Sequence, residues 1–236
     1  TTRYTTPQTS ASSFNPEKAK TFEVGLKSTL LDRRLQLNLA AFTTKYTGIQ
    51  LNYQVGTSPT IANVGDARIK GVELEVIAKP ASILTINGSL GYTDSSYTFL
   101  DPAVQVTSAP NTFQLGAAVG GELPKTPRWK MNLSPRIDLP IGEQGAEISL
   151  LGDITYTSKQ RNNVEGTIAL NRSSTTLVNA SLIYSAPADQ YTVSIGGTNL
   201  TDKRYVTSGS SIPASGVIDG TFSRPREWYV RVGFKF

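Results

Sequence analysis

The chain has 236 residues, a net charge of +5 and only 38% hydrophobic residues, and it contains neither cysteine nor histidine. Those facts exclude disulfide scaffolds, the usual zinc sites, and nucleophilic or acid–base chemistry by thiol or imidazole. No run approaches the ~20 apolar residues of a membrane-crossing helix. The Lys and Arg are scattered along the sequence, which speaks against a nucleic-acid surface, and no paired-carboxylate motif points to an enzyme or requires a cofactor. Residues 1–19 read as loop, rich in Thr, Ser, Pro and Asn. A first strand follows, with Phe22, Val24 and Leu26 on one face and Glu23, Gly25 and Lys27 on the other. Asp32-Arg33-Arg34 makes a tight turn. Leu35, Leu37 and Leu39 alternate with Gln36, Asn38 and Ala40, and then the phase blurs at Ala41, Phe42 and Tyr46, where a bulge is expected. A polar loop is expected from about residue 52 to 66. Gly71-Val72-Glu73-Leu74-Glu75-Val76 is the third strand, and Pro80-Ala81-Ser82 turns into the fourth, which carries Leu84, Ile86, Leu90 and Tyr92.

A long loop is expected over residues 94–126. The fifth strand has the cleanest pattern: Trp129, Met131, Leu133, Ile137 and Leu139 against Arg128, Lys130, Asn132, Ser134, Arg136 and Asp138. Pro135 falls on the apolar side and lacks a donor, so it marks a bulge or an irregular ladder site. A turn at residues 141–145 leads to Ile148, Leu150, Ile154 and Tyr156, alternating with Glu147, Ser149, Asp153 and Thr155. A loop over about 157–174 precedes Val178, Ala180, Leu182 and Tyr184. Ala186-Pro187-Ala188-Asp189 turns into Tyr191, Val193 and Ile195. A last long loop, about 200–225, leads to the terminal strand. There Trp228, Val230, Val232, Phe234 and Phe236 alternate with Glu227, Tyr229, Arg231, Gly233 and Lys235.

The connections alternate strictly between short turns and long loops. Aromatics cluster at both ends of the apolar faces: Phe22, Tyr92, Trp129, Tyr156 and Trp228 toward the long loops, Tyr184, Tyr191, Phe234 and Phe236 toward the short turns. Both regularities belong to transmembrane β-barrels, with short periplasmic turns, long external loops and two aromatic girdles. The terminal strand resembles the C-terminal signal strand of bacterial outer-membrane barrels. The expected fold is all-β: an antiparallel transmembrane barrel segment of about nine strands. An odd count, entering outside and leaving on the periplasmic side, implies earlier strands before residue 1 and an open half-barrel when this segment stands alone.

Three stretches carry a closer resemblance. Asn15-Pro16-Glu17, running on to Glu23-Val24-Gly25-Leu26-Lys27, is the first. Ala62-Asn63-Val64-Gly65 with Gly71-Val72-Glu73-Leu74-Glu75 is the second. Asn199-Leu200-Thr201-Asp202-Lys203-Arg204-Tyr205 with the final Phe236 is the third. In this order and spacing they resemble the second half of TonB-dependent outer-membrane receptors. The resemblance implies a 22-stranded barrel plugged by an N-terminal domain, with residues 1–236 as its C-terminal portion, strands 14 to 22. It implies uptake of a scarce, bulky nutrient, most often a ferric siderophore, energised by the TonB complex through a plug that this sequence does not include. A passive outer-membrane porin and a soluble β-rich binding module are the alternatives.

In that frame Glu23, Lys27, Glu73, Glu75, Arg128, Lys130, Arg136, Asp138, Glu147, Asp153 and Arg231 face the lumen. They either touch the plug or form a solvated polar wall. Lys159, Arg161, Arg172, Lys203, Arg204, Tyr205, Arg224 and Arg226 lie in loops. Of these, Arg161, Arg172, Lys203, Arg204, Tyr205 and Arg224 are the candidates for an anionic ligand, against the simpler reading of ordinary exposed charges. Arg68 and Arg226 share the phase of the apolar face at the external rim and suit lipopolysaccharide phosphate. Trp228, Val230, Val232, Phe234 and Phe236 meet membrane lipid and, by the resemblance, are read by the barrel-assembly machinery. Asn199 and Asp202 are expected to shape the strand exit through backbone hydrogen bonds.

Overall fold

The computed structural model describes residues 15–55, 58–107, 110–212 and 215–235. Residues 1–14 of the expected N-terminal loop and the terminal Phe236 lie outside the described residues. The elements in order are β1 (Lys18–Leu30), β2 (Leu35–Val55), β3 (Ser58–Ala81), β4 (Leu84–Leu100), α1 (Pro102–Thr107), β5 (Trp129–Ile141), β6 (Ala146–Thr157), β7 (Thr175–Ser185), β8 (Tyr191–Thr198), β9 (Val206–Ile212), β10 (Val217–Phe222) and β11 (Glu227–Phe234). Nine strands form one antiparallel sheet in sequence order, β1 through β8 and then β11. The sheet is open: β1 and β11 each have one neighbour. Nine strands were expected, and nine form the wall.

The long connections differ from expectation. The loop expected at 52–66 is mostly strand: β2 and β3 run on as a ladder from Ile49↔Gly65 to Val55↔Ser58. Its composition is polar because it stands clear of the apolar belt, and the ladder satisfies its backbone without needing apolar alternation. Likewise β4 continues to Leu100 before α1. Inside the loop expected at 200–225, β9 and β10 pair as a separate hairpin. The turn placed at Pro80–Ser82 falls instead after Ala81, which pairs with Leu84.

The bulge expected over Ala41, Phe42 and Tyr46 falls at the last of these. The ladders on both sides of β2 run unbroken through Ala41–Tyr46, and the irregularity falls between Tyr46 and Ile49, where Gly48 has φ +68°. Phe42 keeps its phase because it stands opposite Gly71 and its ring fills the space a Cβ would take there. The same device recurs. Trp228 lies against Gly197 and Tyr229 against Gly196, each its direct cross-strand partner. Pro135 stands opposite Gly152, with its ring against the glycine. Between β5 and β6 the ladder skips Ser134 and Pro135 yet keeps register, from Leu133↔Ile154 to Arg136↔Leu151. A ring over a glycine restores the packing a strand glycine forfeits.

Burial is inverted relative to a soluble domain. On central strands Leu133, Leu150 and Leu182 remain 46%, 47% and 44% exposed on one continuous apolar face. The buried apolar cluster lies elsewhere, at the long-loop end. Ile49, Leu51, Val64, Ala67, Tyr97, Leu100 and Val104 pack there with Ala117, Leu123 and Val164.

Candidate functional site

Strand alternation puts the expected inward charges on the face opposite the apolar one. Lys27, Asn38 and Glu75 stand in one cross-strand row, and Asn38 Nδ2 donates to Glu75 at 3.2 Å. Glu23 and Glu73 border the same hollow. On β5 and β6, Arg136 Nε donates to both oxygens of Asp138 at 2.7 and 2.9 Å, and its Nη2 lies 3.7 Å from Glu147. Ser149 Oγ sits between the two carboxylates, 2.7 Å from Asp138 and 3.0 Å from Glu147. Arg128 pairs with Glu122 at 3.1 Å, and the Arg231 guanidinium lies 5.7 Å from the Tyr229 ring.

Asp153 pairs with no cation among the described residues. It accepts instead from Asn132 (2.7 Å), Ser134 (2.9 Å) and Asn179 (3.0 Å). Neutral donors suffice for a partly exposed carboxylate. The chain of bonds runs on: Asn179 Oδ1 accepts the Asn199 N–H at 2.8 Å. Asn199, at φ +50°, donates to the carbonyls of Lys203 and Arg224 and accepts the Lys203 N–H. Asp202 accepts the Arg226 N–H at 2.9 Å. The two residues therefore tie the end of β8 to the start of β11, a strand-exit role the sequence motif suggested.

The other motifs meet as well. Asn15 N–H donates to Asn63 Oδ1 at 2.8 Å, and Asn63 Nδ2 donates back to the Asn15 carbonyl at 2.8 Å and to Gly48 O at 2.6 Å. Glu17 accepts from the Tyr46 hydroxyl and from the Gln50 N–H, both at 2.6 Å. These bonds surround the break at Tyr46–Ile49. They supply the partners that the interrupted ladder does not.

Above the wall, the loops assemble into a mouth. Gln160 and Arg172 exchange both backbone bonds at 3.0 Å. The Arg172 guanidinium stacks 3.8 Å from the centre of the Tyr205 ring and its Nε donates to Thr175 at 3.1 Å. Arg161 donates to the Gly116 carbonyl at 2.8 Å. Arg172 also borders a hollow of about 420 Å³ whose walls include Glu73, Lys125, Lys130, Thr157 and Gln160. Wall and loops thus share one concave site. Of the loop candidates, Arg161, Arg172 and Tyr205 belong to this mouth. Lys203 and Arg204 are exposed at the strand exit, and Arg224 reaches Glu227 at 3.9 Å. Trp228, Val230, Val232 and Phe234 line the apolar side of β11.

Lys125 and Gln160 carried no periodic signal and were missed. So were two buried groups behind the mouth. Burial pushes the Tyr97 hydroxyl up to about 12, with the Arg161 charge opposing it. Burial likewise raises the Glu165 carboxyl above its ordinary range, partly opposed by a backbone hydrogen bond. Among the described residues, no group of three or more acidic side chains could hold a metal ion.

The family profile of TonB-dependent receptor-like β-barrels matches residues 1–200. Over 85 residues the chain is 36% identical to a probable TonB-dependent siderophore receptor, PiuA, of Acinetobacter baumannii, covering 36% of this chain and 11% of that protein. In fold it is similar to the ferric yersiniabactin uptake receptor FyuA of Yersinia pestis, with TM-score 0.72 and 19% identity over 93% of this chain and 30% of that one. It is also similar to the copper transporter OprC, with TM-score 0.67 and 19% identity over 94% of this chain and 30% of that one. The chain therefore spans under a third of the length of these relatives.

Proposed function

This chain belongs to the TonB-dependent receptor β-barrel family of the bacterial outer membrane, and from that premise we propose that it is the C-terminal wall and part of the mouth of an active importer for a bulky anionic chelate, a ferric siderophore. The observation that carries the reading is the convergence of Lys125, Lys130 and Arg172 on one hollow between wall and loops. With Glu73 as the one carboxylate beside them, three cations leave this concave site net positive, which raises the local concentration of an anion and favours its capture. The 36% identity to a probable siderophore receptor supports the same cargo. In this proposal Arg161, Arg172 and Tyr205 are the loop residues nearest the ligand, with Lys203, Arg204 and Arg224 further out at the strand exit. Glu23, Lys27, Glu73, Glu75, Arg128, Lys130, Arg136, Asp138, Glu147, Asp153 and Arg231 form the polar inner wall, which faces the plug. Energy reaches the site through that plug from the TonB complex. Trp228, Val230, Val232 and Phe234 meet lipid and, with the terminal Phe236, serve the assembly machinery.

The test uses the full-length receptor in its own cell. Uptake of iron-55 presented as catecholate, hydroxamate and carboxylate chelates is compared in wild-type, receptor-deletion and TonB-deletion strains. The expected result is one chelate class whose uptake needs both the receptor and TonB, and whose uptake falls in a Lys125→Gln/Arg172→Gln variant. Receptor-dependent uptake that survives loss of TonB would instead make the protein a passive channel.

A further inference from the structure

The sheet register gathers cations that the sequence scatters. On the apolar-phase side, Lys20 stands opposite Lys45, and Lys45 opposite Arg68. One dyad away on the same face lie Lys18, beside Lys20, and Lys70, beside Arg68. All five are exposed, and among the described residues none makes an ion pair. Asp94 is the cross-strand partner of Lys70 on this face, and Asp66 is occupied by the Gly48 N–H at 2.9 Å. The rest of the same rim is different: Asp94 and Ser96 on β4, Ser158 after β6 and Ser174 before β7 carry no positive charge, and Arg224 and Arg226 precede β11 at the far edge of the sheet, with Arg224 turned to Glu227 at 3.9 Å.

Position defines the partner. On β1 and β3 the cations sit next to the residues that begin the apolar belt, Lys20 beside Phe22 and Lys70 beside Val72, and on β2 only Thr43 separates Lys45 from Ala41 on that face. Directly opposed residues have Cβ atoms about 5 Å apart and like charges there repel, so a row of three with two more alongside favours a multiply charged anion. At the upper edge of a lipid-facing belt, that anion is a lipid headgroup. Long basic stems keep their carbons on the apolar side and their charges at headgroup level, and an arginine fork matches a phosphate.

We propose that Lys18, Lys20, Lys45, Arg68 and Lys70 form a binding site for the phosphates of a diphosphorylated outer-leaflet glycolipid. The site rests on the reading that this sheet face meets the membrane, and the test separates the two. Full-length receptor is purified in detergent and titrated with diphosphoryl lipid A, monophosphoryl lipid A and inorganic phosphate, with bound lipid counted by native mass spectrometry. A nitroxide at Val24 reports in parallel whether the face is lipid-exposed, by its relative accessibility to oxygen and to a water-soluble relaxant. The expected order is diphosphoryl over monophosphoryl lipid A, with no competition by inorganic phosphate. The Lys20→Gln/Lys45→Gln/Arg68→Gln variant should lose about tenfold or more in lipid affinity, while Arg34→Gln, in the exposed short turn at the opposite end of β1 and β2, keeps wild-type binding. Should the triple variant not insert, Lys45→Gln alone is read in the same titration and is expected to bind several-fold more weakly. Unchanged binding in either variant, with a lipid-exposed nitroxide, overturns the site alone. Saturation by inorganic phosphate overturns the lipid as its ligand. A water-exposed nitroxide overturns the orientation of the face and the site with it.

Discussion

The wall and the mouth of this molecule solve opposite solvation problems with the same β ladder. In the wall, Leu133, Leu150 and Leu182 stay nearly half exposed because lipid, not protein, covers them. In the mouth, Leu100 and Val104 are 1% and 0% exposed, packed with Tyr97 and Leu123 as in a small soluble domain. One chain therefore has two hydrophobic systems, and they need not respond alike to the same substitution.

The sharpest way to break that comparison is one substitution made in both places. Leu100→Ala leaves a cavity that neighbours cannot refill, and should cost about 2–5 kcal/mol of local stability. Leu133→Ala should cost less, about 2 kcal/mol, because lipid refills the gap and only the transfer energy is lost, without a cavity term. Urea-dependent hydrogen exchange of the full-length receptor in detergent separates the two, since mouth and wall amides are distinct. Equal losses at both sites would mean that the outer face packs against protein.

The junction between the two systems gives a smaller effect. Asn199 links the wall, through Asn179 and Asp153, to the strand exit, and holds φ +50° while doing so. Asn199→Gly should lose its side-chain bonds alone, and Asn199→Ala the bonds plus about 1 kcal/mol of backbone strain. The readout is the difference between the two variants in exchange at Lys203 and Arg226. No difference would mean that the left-handed conformation relaxes freely.

The wall was legible because a membrane enforces its pattern on every strand. Each outward position must be apolar for the thickness of the hydrocarbon, and each inward one need not be, so alternation survives in residues as separate as Phe22 and Val232. The mouth has no such common solvent. Ile49, Leu100, Ala117 and Val164 come from four separate segments and meet only after folding, so no periodicity announces them. The β9–β10 hairpin escaped notice for a related reason: it is short and rich in Ser, Gly and Thr, which read as loop. Register is a third case. The cations seemed scattered because Lys20, Lys45 and Arg68 are more than twenty residues apart in sequence, yet they are neighbours once β1, β2 and β3 pair. Among the loop candidates, Arg161 and Arg172 were singled out by charge alone, while Lys125, one of the two lysines that border the Arg172 hollow, had nothing to set it apart.

The smallest expected effect tests whether the mouth really behaves as a dry protein core. Burial raises the Glu165 carboxyl above its ordinary value of 4.5, so the folded mouth holds that proton more tightly than the unfolded chain does. The stabilisation is fully present below about pH 4.5 and is lost as pH rises through the raised folded value. Local stability around Val164 should therefore fall between acid and neutral pH, with no imidazole in this chain to confuse that window. Glu165→Gln removes the ionisation and keeps the shape: it should flatten that part of the pH profile and leave the mouth slightly more stable at pH 7. Proteolysis of the loops around Glu165 at pH 5 and pH 7, in wild type and variant, checks both statements. The wall supplies the internal control, since exchange at Leu133 and Leu150 should be indifferent to the substitution. A wall that responded as strongly as the mouth would show one cooperative unit where the burial pattern implies two.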